Sequence, residues 1–294
     1  MRLCGRLIGI GLLAMALIVS PTFAQPNQIV VSTGVPDGTY AQFFTEISRV
    51  CPQPPLKAVA SHGSVENLER VMNNSASLAF VQADVLFAKK LVEHDPQVEA
   101  VRTFLVLYLE EIHILTKATN DSISKFSDLA GKKVGVYGGS TITSLILYAT
   151  TGVQPAHTET YPGPDEAVQA LGSGAIDVVL GVGGKPLPWV ESLDAKYKLI
   201  PFDQFEKVSK IYYPAIINYS NLNQPGGVGT IAVPSLLITR DYKIPGMVTP
   251  LLQLRSCIVK NLEVLRETVG DHPKWNQVNP QIKGPWPYFE GSSN

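Results

Sequence analysis

Five loops of the sequence carry residue types that could bind a small polar molecule. They read TGVPDGTY, SHGSVEN, VQAD, YGGSTIT and GVGGK, and each follows an apolar segment. Glycine lets the backbone come close to a ligand, and the free N–H groups at a helix start attract an anion or a carboxylate. Hydrogen bonds to a charged partner contribute roughly 1.5–3 kcal/mol each. The five loops therefore predict non-covalent binding of a small polar solute.

The residue sets that perform catalysis or hold metals are missing from the sequence. It has no G-x-S-x-G nucleophile elbow, no H-E-x-x-H motif and no cluster of Cys and His at metal-binding spacing. The segment GVYGGSTIT lacks the lysine of a phosphate-binding P-loop. The five histidines are scattered, and we expect His94 and His272 at the solvated surface because each stands beside an Asp and a Pro. The sequence predicts neither an enzyme nor a cofactor or metal site.

Apolar, β-branched segments alternate with helical patterns along most of the chain. QIVVSTG, LKAVAS and SLAFVQA are typical of strands, whereas GTYAQFFTEISRVC and SVENLERVMN are typical of helices. The strands are apolar without alternation, as expected when helices cover both faces of a parallel sheet. The five loops then follow the carboxyl ends of strands, where open α/β sheets bind ligands. Ser64 stands where a side chain caps a helix N-terminus, and we expect it to do so.

This order of elements occurs twice. VVSTGVPDGTYAQFF and VGVYGGSTITSLIL share the order strand, glycine-rich loop, helix. Between them, RTFLVLYLEEIHILTK predicts one long or bent strand that passes from one half of the molecule to the other. The last helical pattern, PGMVTPLLQLRSCIVKNLEVLRETV, precedes a Pro- and Trp-rich tail that we expect to be irregular. The sequence thus predicts an α/β fold with two lobes of similar plan.

The N-terminus has the pattern of a secretory signal peptide. Arg2 and Arg6 precede an apolar run, Leu7 to Val19, and Ala24 ends a small-residue cleavage site. We therefore expect residues 1–24 to be removed and the mature chain to be periplasmic. Removing Arg2 and Arg6 from the 24 basic side chains leaves 22, against 25 acidic ones. This charge, and the lack of a second apolar stretch of membrane-spanning length, argue against nucleic-acid binding and membrane insertion.

Two cysteines, Cys51 and Cys257, remain after Cys4 is removed with the signal peptide. An even number of cysteines in an oxidising compartment favours a disulfide, and two separate buried thiols are the alternative. A bridge would tie the C-terminal helical segment back to the first lobe. By closing so long a loop it would stabilise the fold by roughly 4–5 kcal/mol.

Seven motifs occur in the order found in one family of transport receptors. They are STGVPDGTYAQFF, HGSVENLERV, LAFVQADVLF, LYLEEIHILTK, LAGKKVGVYGGSTIT, DVVLGVGGKPLPWV and VGTIAVPSLLIT. With them the chain, from about residue 28 to the final helix, resembles the TAXI family, the extracytoplasmic solute receptors of TRAP transporters. GSVENL followed by VQAD is the most specific part of this resemblance.

The resemblance implies a type II periplasmic-binding-protein fold with a central ligand cleft. Lobe 1 would consist of residues 25–114 and 229–294, and lobe 2 of residues 115–228, with crossover strands as the hinge. The closed form would deliver a small carboxylate or amino acid, such as glutamate, glutamine or a 2-oxo acid, to a TRAP-type membrane permease. The receptor of an ABC importer, or a sensor subunit that presents its ligand to a histidine kinase, remain alternatives.

The resemblance also implies which residues contact the solute: Thr33, Gly38, Tyr40, Ser64, Asn67, Gln82, Asp84, Ser140, Thr141, Thr143, Gly183 and Gly184. Asp37, His62 and Lys185 stand where relatives tend to have small or uncharged residues. Asp37 in the cleft would favour an ammonium-bearing ligand over a dicarboxylate. His62 would donate to the ligand or face water. Lys185 would pair with a ligand carboxylate if it faced the cleft, and would otherwise be an ordinary solvated lysine.

Overall fold

The computed structural model describes residues 28–291. The predicted signal peptide and its cleavage after Ala24 fall outside these residues and stay predictions. The strands are β1 (Ile29–Ser32), β2 (Leu56–Val59), β3 (Leu78–Gln82), β4 (Val101–Lys117), β5 (Lys133–Tyr137), β6 (His157–Tyr161), β7 (Val178–Gly183), β8 (Tyr197–Leu199), β9 (Tyr213–Ile217) and β10 (Val228–Arg240). The helices are α1 (Thr39–Val50), α2 (Ser64–Met72), α3 (Ala83–Leu91), α4 (Ser140–Thr151), α5 (Pro164–Ser173), α6 (Pro188–Glu191), α7 (Phe205–Val208), α8 (Pro245–Lys260) and α9 (Leu262–Glu267).

The strands form one curled sheet in the order β2-β1-β3-β10-β4-β7-β5-β6, with β8 on β4 and β9 on β10. β1 pairs in parallel with β2 and β3, and β5 pairs in parallel with β6 and β7. We call the first of these groups, with α1 to α3, the first lobe, and the second, with α4 and α5, the second lobe. The predicted α/β fold with two lobes of similar plan is confirmed.

Two long antiparallel strands, β4 and β10, connect the lobes. β10 pairs with β9 over Val228–Ala232 and with β3 over Ser235–Thr239. β4 pairs with β10, and over Glu111–Leu115 also with β7. Each strand therefore begins beside one lobe and ends beside the other, which confirms the predicted crossover strand. The lobe boundaries at 114/115 and 228/229 stay predictions.

A cluster of aromatic side chains fixes the first helix of the first lobe. Phe43 of α1 is fully buried and stacks on Trp275 with 4.2 Å between ring centroids. Phe80 of β3 and Phe104 of β4 belong to the same core. Truncating such a buried ring to alanine generally costs about 3–5 kcal/mol. This cluster therefore holds α1, and with it the loop that precedes α1, against the sheet.

The predicted disulfide is confirmed. Cys51 directly follows α1, and Cys257 lies in α8, with an S–S distance of 2.08 Å and a Cα–Cα distance of 5.9 Å. The Cα separation lies within the range of about 4.4–6.8 Å that disulfides require. The bridge ties α8 back to the first lobe.

Two strands are not predicted from the sequence, and two predictions about individual segments are wrong. β6 and β9, the strands without a prediction, carry polar or exposed residues at or near the margin of the sheet and lack the continuous apolar pattern that marks a buried strand. The final helical pattern divides into α8 and α9 around Asn261. His94 is exposed as predicted, but His272 is buried because it packs against the ring of Phe43.

The longest helix of the described chain is α8, which covers 16 residues and includes Arg255 and Lys260. Within residues 28–291, no helix combines the length and the apolar composition needed to cross a membrane.

Candidate solute-binding cleft

A cavity of about 580 Å³ lies between the two lobes. Loops from both lobes line it: residues 34–40 and 62–64 from the first lobe, and residues 137–139, 162–166 and 187–189 from the second. Gln82, Glu110 and residues 182–183 complete the wall. Most of these positions follow the carboxyl ends of strands, where α/β proteins bind ligands. The volume matches small-molecule sites, which typically measure about 300–1,000 Å³.

The cavity wall contains part of the ligand-contacting set predicted from the sequence: Asp37, Gly38, Tyr40, His62, Ser64, Gln82 and Gly183. The other members do not line it: Thr33, Asn67, Asp84, Ser140, Thr141, Thr143, Gly184 and Lys185. Direct contact between any of these residues and a solute stays a prediction.

Ser64 does not cap α2, so that prediction is wrong. The N-cap position belongs to Gly63, whose φ of 117° suits glycine. The Ser64 hydroxyl instead donates to Gln82 Oε1 at 3.0 Å and accepts from the Gln82 backbone N–H at 3.1 Å. It also lies 3.3 Å from the Tyr40 hydroxyl. Ser64 therefore links α1, α2 and the end of β3 into one polar wall.

Glycines let the loops of the two lobes touch. A Cβ added to Gly63 would lie 3.1 Å from the Gly139 backbone nitrogen, and one added to Gly138 would lie 2.8 Å from the His62 carbonyl oxygen. A Cβ added to Gly139 would lie 1.6 Å from Gln82 Oε1. The cleft is therefore closed at this point, and only glycine permits so close an approach.

Glu110 of β4 lies in the cavity wall and was missed by the sequence analysis. Its side chain is buried, and its Oε1 atom has no hydrogen-bond partner within residues 28–291. Burial raises the pKa of the Glu110 carboxyl to about 7, a shift that hydrogen bonding by the Tyr40 hydroxyl opposes. In the sequence, an acidic pair inside the apolar segment LYLEEIHILTK is the signal for this residue, whereas the segment as a whole predicts only a strand.

Gln82 also presents an unpaired group. Its Nε2 atom is buried and has no partner in the described part of the chain, although its Oε1 accepts from Ser64. Buried polar groups are nearly always hydrogen-bonded, so two unpaired groups in one cavity wall point to a ligand. The cleft thus offers an amide donor at Gln82 and a carboxyl acceptor at Glu110.

The second lobe contributes an aromatic part of the wall. Tyr137 and Trp189 both line the cavity, and their rings meet edge to face with 6.1 Å between centroids. Leu187 packs beside them, and the prolines Pro162, Pro164 and Pro188 add further apolar surface. None of these residues is in the predicted ligand-contacting set: Tyr137 opens the loop YGGSTIT but is not one of its predicted contacts, and the others lie outside the five polar loops.

Several motif residues behind the wall hold the loops in place. Asn67 accepts from the Ser32 hydroxyl at 2.5 Å and donates to the Phe80 carbonyl at 2.8 Å. The Ser140 hydroxyl accepts from the Val182 backbone N–H at 2.9 Å, which ties α4 to β7. These buried bonds give the motif residues a positioning role that needs no contact with a solute.

Lys185 points away from the cavity. Its ammonium group donates to the Ile216 carbonyl oxygen, and its backbone N–H donates to Glu111 Oε2 at 3.0 Å. Glu111 in turn forms a buried ion pair with Lys274, and Gly184 packs against Tyr108 and Lys274. Of the two alternatives for Lys185, the one that placed its charge in the cleft is not observed.

The charged groups in the cavity wall are acidic, apart from the exposed imidazole of His62. They are Asp37, Glu110, Asp165 and Glu166, and no Lys or Arg of residues 28–291 lines the cavity. In the same range, no group of three or more His, Cys, Asp and Glu side chains is placed to hold a metal ion.

Solved structures with a similar fold include several ligand-binding proteins. An ancestral arginine-binding protein bound to arginine has a TM-score of 0.53 at 15% identity and covers 86% of this chain and 97% of its own. The GluR0 ligand-binding core from Nostoc punctiforme in complex with glutamate has a TM-score of 0.52 at 15% identity, with coverages of 83% and 100%. The substrate-binding protein of an amino acid ABC transporter has a TM-score of 0.51 at 12% identity, with coverages of 85% and 96%.

These similarities confirm the predicted fold class, that of type II periplasmic binding proteins. At such low identity they show the fold alone. A family model matches residues 31–252, which is most of the chain and includes nearly all of the cavity wall. The chain belongs to the NMT1-like family.

Proposed function

We propose that the protein is a periplasmic solute receptor that captures a small polar solute of the amino-acid or carboxylate class. It binds by hinge closure, delivers the solute to a membrane permease and makes no covalent change. The observation that carries this proposal is the closed cavity itself. Loops from both lobes enclose it and touch through Gly63, Gly138 and Gly139, and two buried atoms in its wall, Gln82 Nε2 and Glu110 Oε1, have no hydrogen-bond partner within residues 28–291.

The solute class is supported by the size of the cavity and by the similar structures. Those proteins bind arginine or glutamate, or serve an amino acid transporter, and this chain shares their fold. The aromatic surface of Tyr137 and Trp189 beside polar loops suits a molecule with one polar end and one apolar side.

For the partner we propose a TRAP-type permease, because the seven motifs of the sequence resemble the TAXI receptors. An ABC importer is the second candidate, since similar structures include the substrate-binding protein of an amino acid ABC transporter. A sensor subunit that presents its ligand to a histidine kinase is a third. A gene for a large TRAP membrane subunit beside this one would support the first candidate, and genes for an ABC permease and its ATPase would support the second.

Thermal stability of ligand-free protein tests the proposal. The mature protein is unfolded to release bound solute, refolded and melted with amino acids, carboxylates, sugars and phosphate. A compound at about 100 times its Kd adds roughly 2.7 kcal/mol to the unfolding free energy, which raises Tm by a few degrees. Trp189 lies in the wall, so its fluorescence gives a second readout. No response from refolded protein, or chemical conversion of the bound compound, would contradict a solute receptor.

A further inference from the structure

The two unpaired polar atoms of the cleft would form hydrogen bonds with different groups on the ligand. Glu110 Oε1 can accept a hydrogen bond when the carboxyl is ionised, whereas Gln82 Nε2 can only donate one. Leaving such buried groups unpaired destabilises the folded state. A solute that fits the cleft therefore brings a donor to Glu110 and an acceptor to Gln82.

The two groups line one cavity from opposite sides of a single strand. Gln82 is paired with Ser235 of β10, and Glu110 is paired with Val233 of the same strand on its other side. One strand thus separates them, and adjacent strands lie about 4.8 Å apart, so their backbones are roughly 10 Å apart across the sheet. Both side chains line the same cavity of about 580 Å³, so one small molecule in it can contact both.

The charges around the cavity favour a cation. Asp37, Asp165 and Glu166 join Glu110 in the wall, and no Lys or Arg lines the cavity within residues 28–291. The nearby cation Lys274 is engaged behind the wall, where it pairs with Glu111 and donates to the Leu109 carbonyl at 2.7 Å. A second carboxylate on the solute would find no cationic partner and would face repulsion.

One carboxylate can still be accommodated. The first turns of α1 and α4, both helices of 12 residues, begin at the cavity, where Gly38, Thr39, Tyr40 and Gly139 line it. Free N–H groups at such helix starts bind anions. The cleft therefore has groups for one negative and one positive end.

We propose that the solute carries an ammonium group bound by Glu110 and at most one carboxylate, the charge pattern of a neutral or basic amino acid. This inference rests on the proposed receptor function and narrows it. It excludes dicarboxylates such as glutamate as the solute, and it also excludes 2-oxo acids, which lack the ammonium group.

The test compares matched compounds on refolded mature protein. Wild type and Glu110→Gln are titrated with the twenty amino acids, their 2-oxo acids, succinate and glutarate, using Tm and calorimetry. We expect neutral or basic amino acids to be the compounds that bind, and Glu110→Gln to weaken the best of them at least 30-fold. Glu69→Gln removes an exposed carboxylate of α2 outside the cavity wall, and should change the affinity less than twofold.

A second variant guards against a folding defect. Glu110→Asp keeps the charge on a shorter side chain and should bind more tightly than Glu110→Gln, while near-ultraviolet circular dichroism shows that both are folded. The inference is overturned if the tightest compound is a 2-oxo acid or a dicarboxylate, or if Glu110→Gln binds the best amino acid as wild type does. If folded wild type binds none of the compounds, the receptor function fails, and the charge assignment fails with it.

Discussion

The carboxylate of Asp84, at the start of α3, accepts a hydrogen bond of 2.6 Å from the hydroxyl of Thr143 in α4. The Tyr212 hydroxyl donates to the same oxygen at 2.9 Å. Burial raises the pKa of the Asp84 carboxyl, and these two hydrogen bonds oppose that shift. All three side chains are buried, and they join the first lobe to the second beside the cleft. We expect these bonds to exist in the closed form and to break when the lobes separate.

Removing the Thr143 hydroxyl should therefore weaken solute binding by making closure less favourable. A hydrogen bond to a charged group contributes about 1.5–3 kcal/mol, so Thr143→Val should raise Kd by at least about tenfold. Thr150→Val, on the exposed side of the same helix, is the matched control. Calorimetric titration of both variants checks this. Equal affinities would show that the Asp84–Thr143 bond does not stabilise the closed form.

The pKa of Glu110 predicts proton release on binding. Burial between the closed lobes raises the pKa of the Glu110 carboxyl to about 7, and a bound ammonium group favours its ionised form. Tyr40, Tyr108, Asp84 and Lys274 surround it; burial raises the pKa of both tyrosines, so they stay neutral at this pH. Binding near pH 7 should release part of one proton, and affinity should rise from pH 6 to 8. Titration in buffers of different ionisation enthalpy measures this release.

The Glu110→Gln variant is the control for that measurement and should release no proton from this site.

The raised pKa of Glu110 also makes the unfolding free energy depend on pH. Because the folded pKa lies above the ordinary value of 4.5, the folded state binds more protons between pH 4.5 and 7. The Glu110 contribution to stability is therefore lost as pH rises through this window, by about 3 kcal/mol in all. Glu110→Gln should gain stability relative to wild type over this range, and a constant difference would contradict the assigned pKa.

Gly139→Ala should impair solute binding without preventing folding. Gly139 has a φ of −62°, which any residue adopts, but an added Cβ would lie 1.6 Å from Gln82 Oε1. Either Gln82 must move or the lobes must separate, and we expect at least a tenfold loss of affinity. Gly246→Ala in α8 meets no atom within 4 Å and should be neutral or slightly stabilising. If Gly139→Ala bound the solute as tightly as wild type, the close approach of Gly139 to Gln82 would not be needed for closure.

Reduction of the disulfide should lower stability more than it lowers affinity. Cys51 and Cys257 lie at α1 and α8, outside the cavity wall, so the site does not depend on them directly. Closing a loop of more than 200 residues stabilises by about 5 kcal/mol in the chain-entropy model. Urea unfolding of the Cys51→Ala/Cys257→Ala double variant against wild type checks the loss. A loss below about 1 kcal/mol would show that the unfolded state is already compact.

The fold could be predicted from the sequence because local pattern and tertiary role agree in most segments. Apolar strands followed by amphipathic helices identify parallel α/β lobes, and the strand containing Glu110 is long enough to cross between them. Predictions fail where contacts between residues far apart in the chain determine the secondary structure or the burial of a residue. β6 is a strand by pairing with β5 alone, and His272 is buried by rings such as Phe43, more than 200 residues earlier in the chain.

The cavity wall was predictable only in part, for a related reason. Polar loops after strands mark the mouth of an α/β cleft, which is how Tyr40, Ser64 and Gln82 were found. Sequence similarity does not indicate which side of the wall a motif residue faces, so Asn67, which lies behind the wall, was grouped with them. Glu110 could not be predicted as a wall residue, because its position inside a strand indicates burial and not access to a cavity.

Binding of a solute ammonium group by Glu110 is tested most directly by calorimetric titration of refolded wild-type protein with the best-binding amino acid and with its 2-oxo acid. The two compounds differ only in the group that would meet Glu110. We expect saturable binding of the amino acid and an affinity for the 2-oxo acid that is weaker by a factor of 100 or more. Equal binding of both, or tighter binding of the 2-oxo acid, would contradict it.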